Sequence, residues 1–293
     1  MGPGTPLLFC TALFFLQPLS GEEPAVQIRH VNQLSVEELS AVRARAIKGD
    51  PDAQLTLGLA YDGGNRAFQR DPVEARRWYE RSAKQGNLDA QFWLLGLDYS
   101  DGKAVRSRYL ELSKAGHIGA MSAYANLCAE GADGPQSFAE AMQWWKTAAE
   151  AGSAEGALNV AIMYLEGEGI AANGEEAVRW LRRAADQGST QAAARLGPMA
   201  VMKKAGLSPG VDCTRWLQIA ADAGDAPSML NLGMVLFHGT GTQPDLLEAY
   251  KWFTLASERG MIDGRTPLRA KMTKIQIAEA EGRASEWNAA HRR

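Results

Sequence analysis

Cysteine is scarce in this sequence, with three residues in a chain of 293, and one of them, Cys10, sits in an N-terminal stretch set apart from the rest. So few cysteines cannot staple a small disulfide scaffold. An excess of one charge is also lacking: 31 Lys and Arg face 34 Asp and Glu, for a net charge of −3. Without a basic footprint, DNA and RNA binding are disfavoured. Long apolar runs are missing too. The run that stands out, Leu7 to Leu16, is broken only by Thr11 and falls short of the ~20 apolar residues that cross a bilayer. It matches the apolar core of a secretory signal, with Ser20-Gly21 before Glu22-Glu23 as the cleavage point, so residues 1–21 form a candidate signal peptide and residues 22–34 a linker. No Lys or Arg precedes that core, and Leu19 stands where a small residue is usual. A misassigned start or a buried N-terminal segment is the competing reading. With the signal the protein is periplasmic or secreted; without it, cytoplasmic.

What the sequence has is a period. Glycine recurs at Gly49, Gly86, Gly116, Gly152, Gly188, Gly224 and Gly260, which divides residues 49–259 into six units: 49–85, 86–115, 116–151, 152–187, 188–223 and 224–259. Aligned on that glycine, Trp78, Trp144, Trp180, Trp216 and Trp252 share a column, broken only by Arg108 of the short second unit. The next column is bulky throughout: Tyr79, Tyr109, Trp145, Leu181, Leu217 and Phe253. Small residues lie three before the tryptophan (Ala75, Ala141, Ala177, Cys213, Ala249) and four after it (Ser82, Ala148, Ala184, Ala220, Ala256). Spacings of three and four put these columns on one helical face.

The first half of each unit carries a similar stripe, as in Ala53, Leu57, Gly58 and Tyr61. Glycine returns at the Gly58 position as Gly197 and Gly233, with Ala125 and Ala161 as near equivalents. Mid-helix glycine costs about 1 kcal/mol relative to alanine, so this column predicts a point where another helix crosses closely. Gly64, Gly131, Gly167 and Gly239 suit a helix C-terminus, and Asp71, Asn173 and Asp245 supply N-cap oxygens for the helix that follows. Each unit thus reads as a helical hairpin that buries its stripe only by stacking on its neighbours. Ser35 with Glu38 and Thr273 with Gln276 are capping-box pairs. They predict an N-terminal capping helix within residues 35–48 and a C-terminal one, ending near Trp287, within residues 260–293.

The pattern of Ala, Leu-Gly-x-x-Tyr, Gly-x-Gly and Ala-x-x-Trp-Tyr resembles the Sel1-like repeat family, relatives of the tetratricopeptide repeats. Unit four carries it most fully, in Asn159, Val160, Ala161, Tyr164, Gly167, Glu168, Gly169, Ala177, Trp180, Ala184 and Ala185. Unit two departs most, lacking about six loop residues, and unit five has Ala200 and Lys203 in place of the Tyr and Gly. The resemblance implies an all-α fold, a right-handed α/α superhelical solenoid of about six hairpin repeats with capping helices. It also implies a non-enzymatic adaptor or scaffold that binds a protein or peptide in the concave groove.

No constellation for chemistry emerges. His30, His117, His238 and His291 are scattered, without an i, i+4 partner or a nearby cysteine, so neither a metal nor another cofactor is expected. Ser100-Asp101-Gly102-Lys103 matches the Ser-x-x-Lys of penicillin-recognising enzymes, but neither Ser-Asp-Asn nor Lys-Thr-Gly accompanies it. Some secreted members of the family are cysteine-rich, with a disulfide in each hairpin and β-lactam binding or hydrolysis. Here Cys128 and Cys213 fall in packing columns of units three and five and read as buried packing residues.

One column of the first helices offers candidates for recognition. It holds Thr56, Trp93, Ala123, Asn159, Arg195 and Asn231, one residue before the buried stripe, where the resemblance implies that side chains face the groove. An asparagine there can both donate to and accept from an extended peptide. The candidate partner-binding residues are Trp93, Asn159, Arg195 and Asn231, with Asn126 as a substitute in unit three; amides that bridge neighbouring helices are the alternative for the asparagines. Two other functions stay open: an envelope hydrolase of β-lactamase-like type, and a structural subunit assembling through its terminal helices.

Overall fold

The computed structural model describes residues 31, 34–64, 68–201 and 211–291. The candidate signal peptide, with Cys10, and most of the 22–34 linker, with His30, lie outside them, as does Lys203. Among the described residues the regular elements are all helices. The chain forms two compact units, residues 1–156 and 157–293.

The first unit opens with α1 (Val36–Ile47) and continues as three hairpins: α2 (Pro51–Gly63) with α3 (Pro72–Ala83), α4 (Leu88–Ser100) with α5 (Arg106–Lys114), and α6 (Ile118–Glu130) with α7 (Phe138–Glu150). Helix α8 (Ala154–Glu166) follows. The second unit continues with α9 (Gly174–Asp186), the hairpins α10 (Thr190–Val201) with α11 (Val211–Asp222) and α12 (Ala226–His238) with α13 (Leu246–Glu258), then α14 (Thr266–Arg269) and α15 (Lys274–Ala290). Within each unit the helices pack mainly on their chain neighbours, which is the stacking of an α-solenoid.

Local chemistry sets the helix ends. Ser35 Oγ accepts the Glu38 N–H at 3.2 Å while the Glu38 carboxylate accepts the Ser35 N–H at 2.7 Å, closing a capping box on α1. Asp71, Asn173 and Asp245 cap α3, α9 and α13 through side-chain oxygens. His117 performs the same task on α6, its Nδ1 accepting the Ala120 N–H at 3.0 Å. The seven unit glycines end their helices at φ between +85° and +106°, where a β-carbon would be strained.

The core follows the columns. Tyr79, Tyr109, Trp145, Leu181, Leu217 and Phe253 are each at most 2% exposed, so the column after the tryptophans lies deepest. Trp216 and Trp252 are buried, whereas Trp144 and Trp180 are only half-buried. The glycine column supplies the expected crossing: a Cβ on Gly58, Gly197 or Gly233 would come within 2.4, 2.4 or 2.7 Å of Tyr79, Leu217 or Phe253. The second hairpin has Leu95 at this place, and there α4 and α5 stand farther apart than α2 and α3. At the C-terminus the expected capping helix is α15, and the short α14 precedes it. Helix α15 is closed at its start by a Thr273–Gln276 capping box and packs on α13.

Candidate functional site

The five candidate residues divide between the units, Trp93 and Asn126 in the first and Asn159, Arg195 and Asn231 in the second. Trp93, on α4, is only 8% exposed. Its ring meets Phe92 edge-on at 5.5 Å, and its indole N–H has no acceptor among the described residues. Asn126, on α6, already bridges helices: its carbonyl accepts the Trp145 indole N–H at 3.0 Å, and its amide donates to Glu155 at 3.2 Å. That is the helix-bridging alternative, and it ties α6 to α7 and to the start of α8. Burial pushes the Glu155 carboxyl above its usual range, with the Asn126 hydrogen bond opposing.

In the second unit the same column is more open. Asn159 on α8 and Asn231 on α12 are half-buried, and Arg195 on α10 is exposed. Burial raises Glu166 at the end of α8, Glu168 adds to the shift, and the Arg195 charge opposes it. Arg195 is therefore a surface cation with an acidic neighbour.

A charged cluster that the sequence did not signal sits in the first unit. Asp98 stands in the column of Tyr61, Cys128 and Tyr164, and its side chain is 8% exposed. It accepts from Arg76 at 2.6 Å, Lys103 at 2.8 Å and Arg108 at 2.7 Å. Burial alone would raise the carboxyl, but hydrogen bonds from Lys103, Arg76 and Arg108 hold it well below the ordinary carboxylate range. Arg106 repeats the role of Arg76 one hairpin on. It donates to Cys128 Sγ at 3.2 Å, and Cys128 occupies the same column as Asp98. The only sequence signal for either cluster was Arg108 interrupting the tryptophan column.

These contacts occupy the groups that catalysis would require. Ser100 Oγ donates back to the Gly96 carbonyl at 3.0 Å and Lys103 is committed to Asp98, so the Ser-x-x-Lys pair is not set up as nucleophile and base. Cys128 and Cys213 are both free and fully buried, and burial pushes the Cys213 thiol up to about 11, which keeps it protonated and unreactive. His117 is spent on its cap and on Asp89, 3.0 Å away. Among the described residues no three His, Cys, Asp or Glu side chains gather to hold a metal, and no helix is long and apolar enough to cross a membrane.

Comparison with known proteins follows the hairpins. A family model described as Sel1 repeat matches residues 51–87, 118–153, 154–189, 190–225 and 226–261, passing over the second hairpin. Among solved structures, c5321, a protective antigen of uropathogenic Escherichia coli displaying an SLR fold, is 24% identical over 90% of this chain with a TM-score of 0.64. The match spans 62% of that longer chain. A Sel1 repeat protein from Oxalobacter formigenes is 25% identical, covering 77% of this chain and all of its own, with a TM-score of 0.61. No curated protein matches.

Proposed function

The chain belongs to the Sel1 repeat family, and from that premise we propose that it is an adaptor that binds a protein or peptide partner through the first helices of its second unit. Sel1-repeat proteins generally act as protein-interaction modules and are typically non-enzymatic. The supporting observation is a contrast between columns. The small-residue columns and the bulky column after the tryptophans stay buried in each hairpin, while the column of Asn159, Arg195 and Asn231 is polar and remains accessible to solvent. Packing accounts for the first pattern, and recognition for the second. Trp93 and Asn126 belong with the packing, so the proposed surface is reduced to the three residues of the second unit.

The test is affinity capture with the full chain, alongside a double variant, Arg195→Glu with Asn231→Ala. A partner held by the native chain and lost by the double variant, with melting unchanged, supports the surface. Equal recovery on both baits, or none on either, overturns it. Turnover of a chromogenic β-lactam that disappears in Ser100→Ala would instead restore the hydrolase.

A further inference from the structure

We propose that the second hairpin carries an open slot for an indole ring, which takes the exposed tryptophan of a partner protein or peptide. The argument begins in the first hairpin. There Trp78, on α3, shares one buried apolar cluster with Ala46 of the preceding helix α1 and with Ala53 and Leu57 of its own α2. In the fifth hairpin Trp216, on α11, has the guanidinium of Arg182 from the preceding α9 over its ring, 5.4 Å from the centroid. The tryptophan of a second helix thus fills a notch between its own first helix and the second helix before it.

In the second hairpin Arg108 stands at the tryptophan position. Counted from the unit glycines, Ala83, Leu94 and Arg108 correspond to Ala46, Leu57 and Trp78, and Glu80 corresponds to Arg182. Those four residues line a single cavity of about 390 Å³ between α3, α4 and α5. The vacated notch has therefore stayed open.

Three features keep it open. The Arg108 guanidinium is anchored on Asp98, which is not part of the cavity wall. Leu95 stands where sister hairpins have a glycine at the helix crossing, and it lines the cavity. Leu94 is only half-buried, whereas its counterpart Leu57 is fully buried.

The equivalence with the filled notches selects the occupant. The wall is apolar at Ala83, Leu94, Leu95 and Leu112 and carries two residues of each charge, Lys84 and Arg108 with Glu80 and Glu111. Sister hairpins seat an indole in this setting; the cations over it there, Arg81 on Trp78 at 4.5 Å and Arg182 on Trp216, are replaced here by Glu111 and Glu80, so it is the shape of the slot that matches an indole. A tryptophan seated in a preformed apolar pocket is a common anchor of protein interfaces. The inference rests on the adaptor reading only for the partner being a protein, and it assigns that partner a second contact, in the other unit.

The test titrates the full chain with N-acetyltryptophanamide, read by saturation-transfer NMR, with N-acetylleucinamide as the aliphatic control. The tryptophan amide is expected to bind saturably and at least tenfold more tightly than the leucine amide. Two variants fill the slot from opposite walls, Arg108→Trp and Ala83→Leu. Each is expected to weaken binding at least tenfold with helicity kept, and Ala83→Leu, which leaves the three cations on Asp98 in place, does so with melting at or above the native value. Lack of saturable binding, equal binding of the two amides, or binding unchanged in both variants overturns the slot. The adaptor reading fails separately: a chain that binds the tryptophan amide but captures no protein keeps the slot and loses the partner. Conversely, a partner captured equally by the native chain and by Arg108→Trp removes the slot as its anchor and leaves the adaptor reading intact.

Discussion

Gly58 faces Tyr79 so closely that a Cβ on it would stand 2.4 Å from both the Cδ1 and Cε1 atoms of the ring. Tyr79 is fully buried and cannot swing away without opening the first hairpin. Gly58→Ala is expected to lower stability by about 1–3 kcal/mol through overpacking, although alanine is the better helix former. Gly282, inside α15 with nothing near its would-be Cβ, provides the internal control, and Gly282→Ala should raise stability by up to about 1 kcal/mol. Urea unfolding midpoints that move in the same direction for both would disprove the close-approach account.

The glycine column, the small-residue columns and the bulky column beside the tryptophans were all legible in the sequence, because each is dictated by packing inside one hairpin and recurs in most hairpins. Contacts settled by a neighbouring hairpin were not. Register puts Asn126 on a helix face, but its role as a bridge depends on Glu155 arriving from α8 while Trp145 of its own hairpin holds its other end. Likewise, adjacent Trp144 and Trp145 look alike in sequence, yet only Trp145 is fully enclosed. The short second hairpin was legible as irregular; the ion cluster and cavity it creates were not.

Asn126 should therefore behave as a structural residue. Asn126→Ala strands the Trp145 indole N–H and removes the Glu155 partner, and leaving such groups unsatisfied costs about 1–3 kcal/mol. A matching loss of melting temperature with partner capture intact is expected. Loss of capture at unchanged stability would return Asn126 to the binding surface.

Asp98 makes the first unit sensitive to acid. Its carboxyl is held below its unfolded value by three cations, so the stabilisation is complete above the unfolded carboxylate pKa of about 3.9 and is lost as pH falls below it toward the depressed folded value. Asp98→Asn is expected to flatten that part of the stability curve. At neutral pH the substitution should cost roughly 3 kcal/mol, the lower end for breaking a buried pair, since the cations reach solvent. An acid-unfolding profile of Asp98→Asn that parallels the native one would refute this.

The shortened link of the second hairpin leaves α5 without a side-chain cap of its own, and the following hairpin supplies one. Asp133, at φ +54°, accepts the Val105 N–H at 2.9 Å, and the Pro135 carbonyl two residues on accepts from Arg106 at 2.9 Å. Asp133→Ala loses the cap and keeps an unfavourable backbone, for an expected loss of about 1–2 kcal/mol. Asp133→Asn retains an acceptor and tolerates positive φ, so its melting curve should stay near the native one. Equal destabilisation by both would show that the carboxylate charge, rather than the cap, is what matters.

At the far end, α15 shields the last hairpin. Trp287 lies edge-on to Trp252 with ring centroids 6.0 Å apart, Arg283 donates to Glu248 at 2.8 Å, and Tyr250 donates to Glu281 at 3.3 Å. Trp252 and Tyr250 are fully buried, and removing residues 261–293 would strip the helix packed over their face of α13. An uncovered apolar repeat face is sticky, which is why solenoids end in polar-faced caps. The truncated chain is therefore expected to associate more strongly than the full chain in light scattering. The assembly hypothesis, in which terminal helices build an oligomer, requires the opposite: a full-length oligomer that falls apart when α14 and α15 are removed.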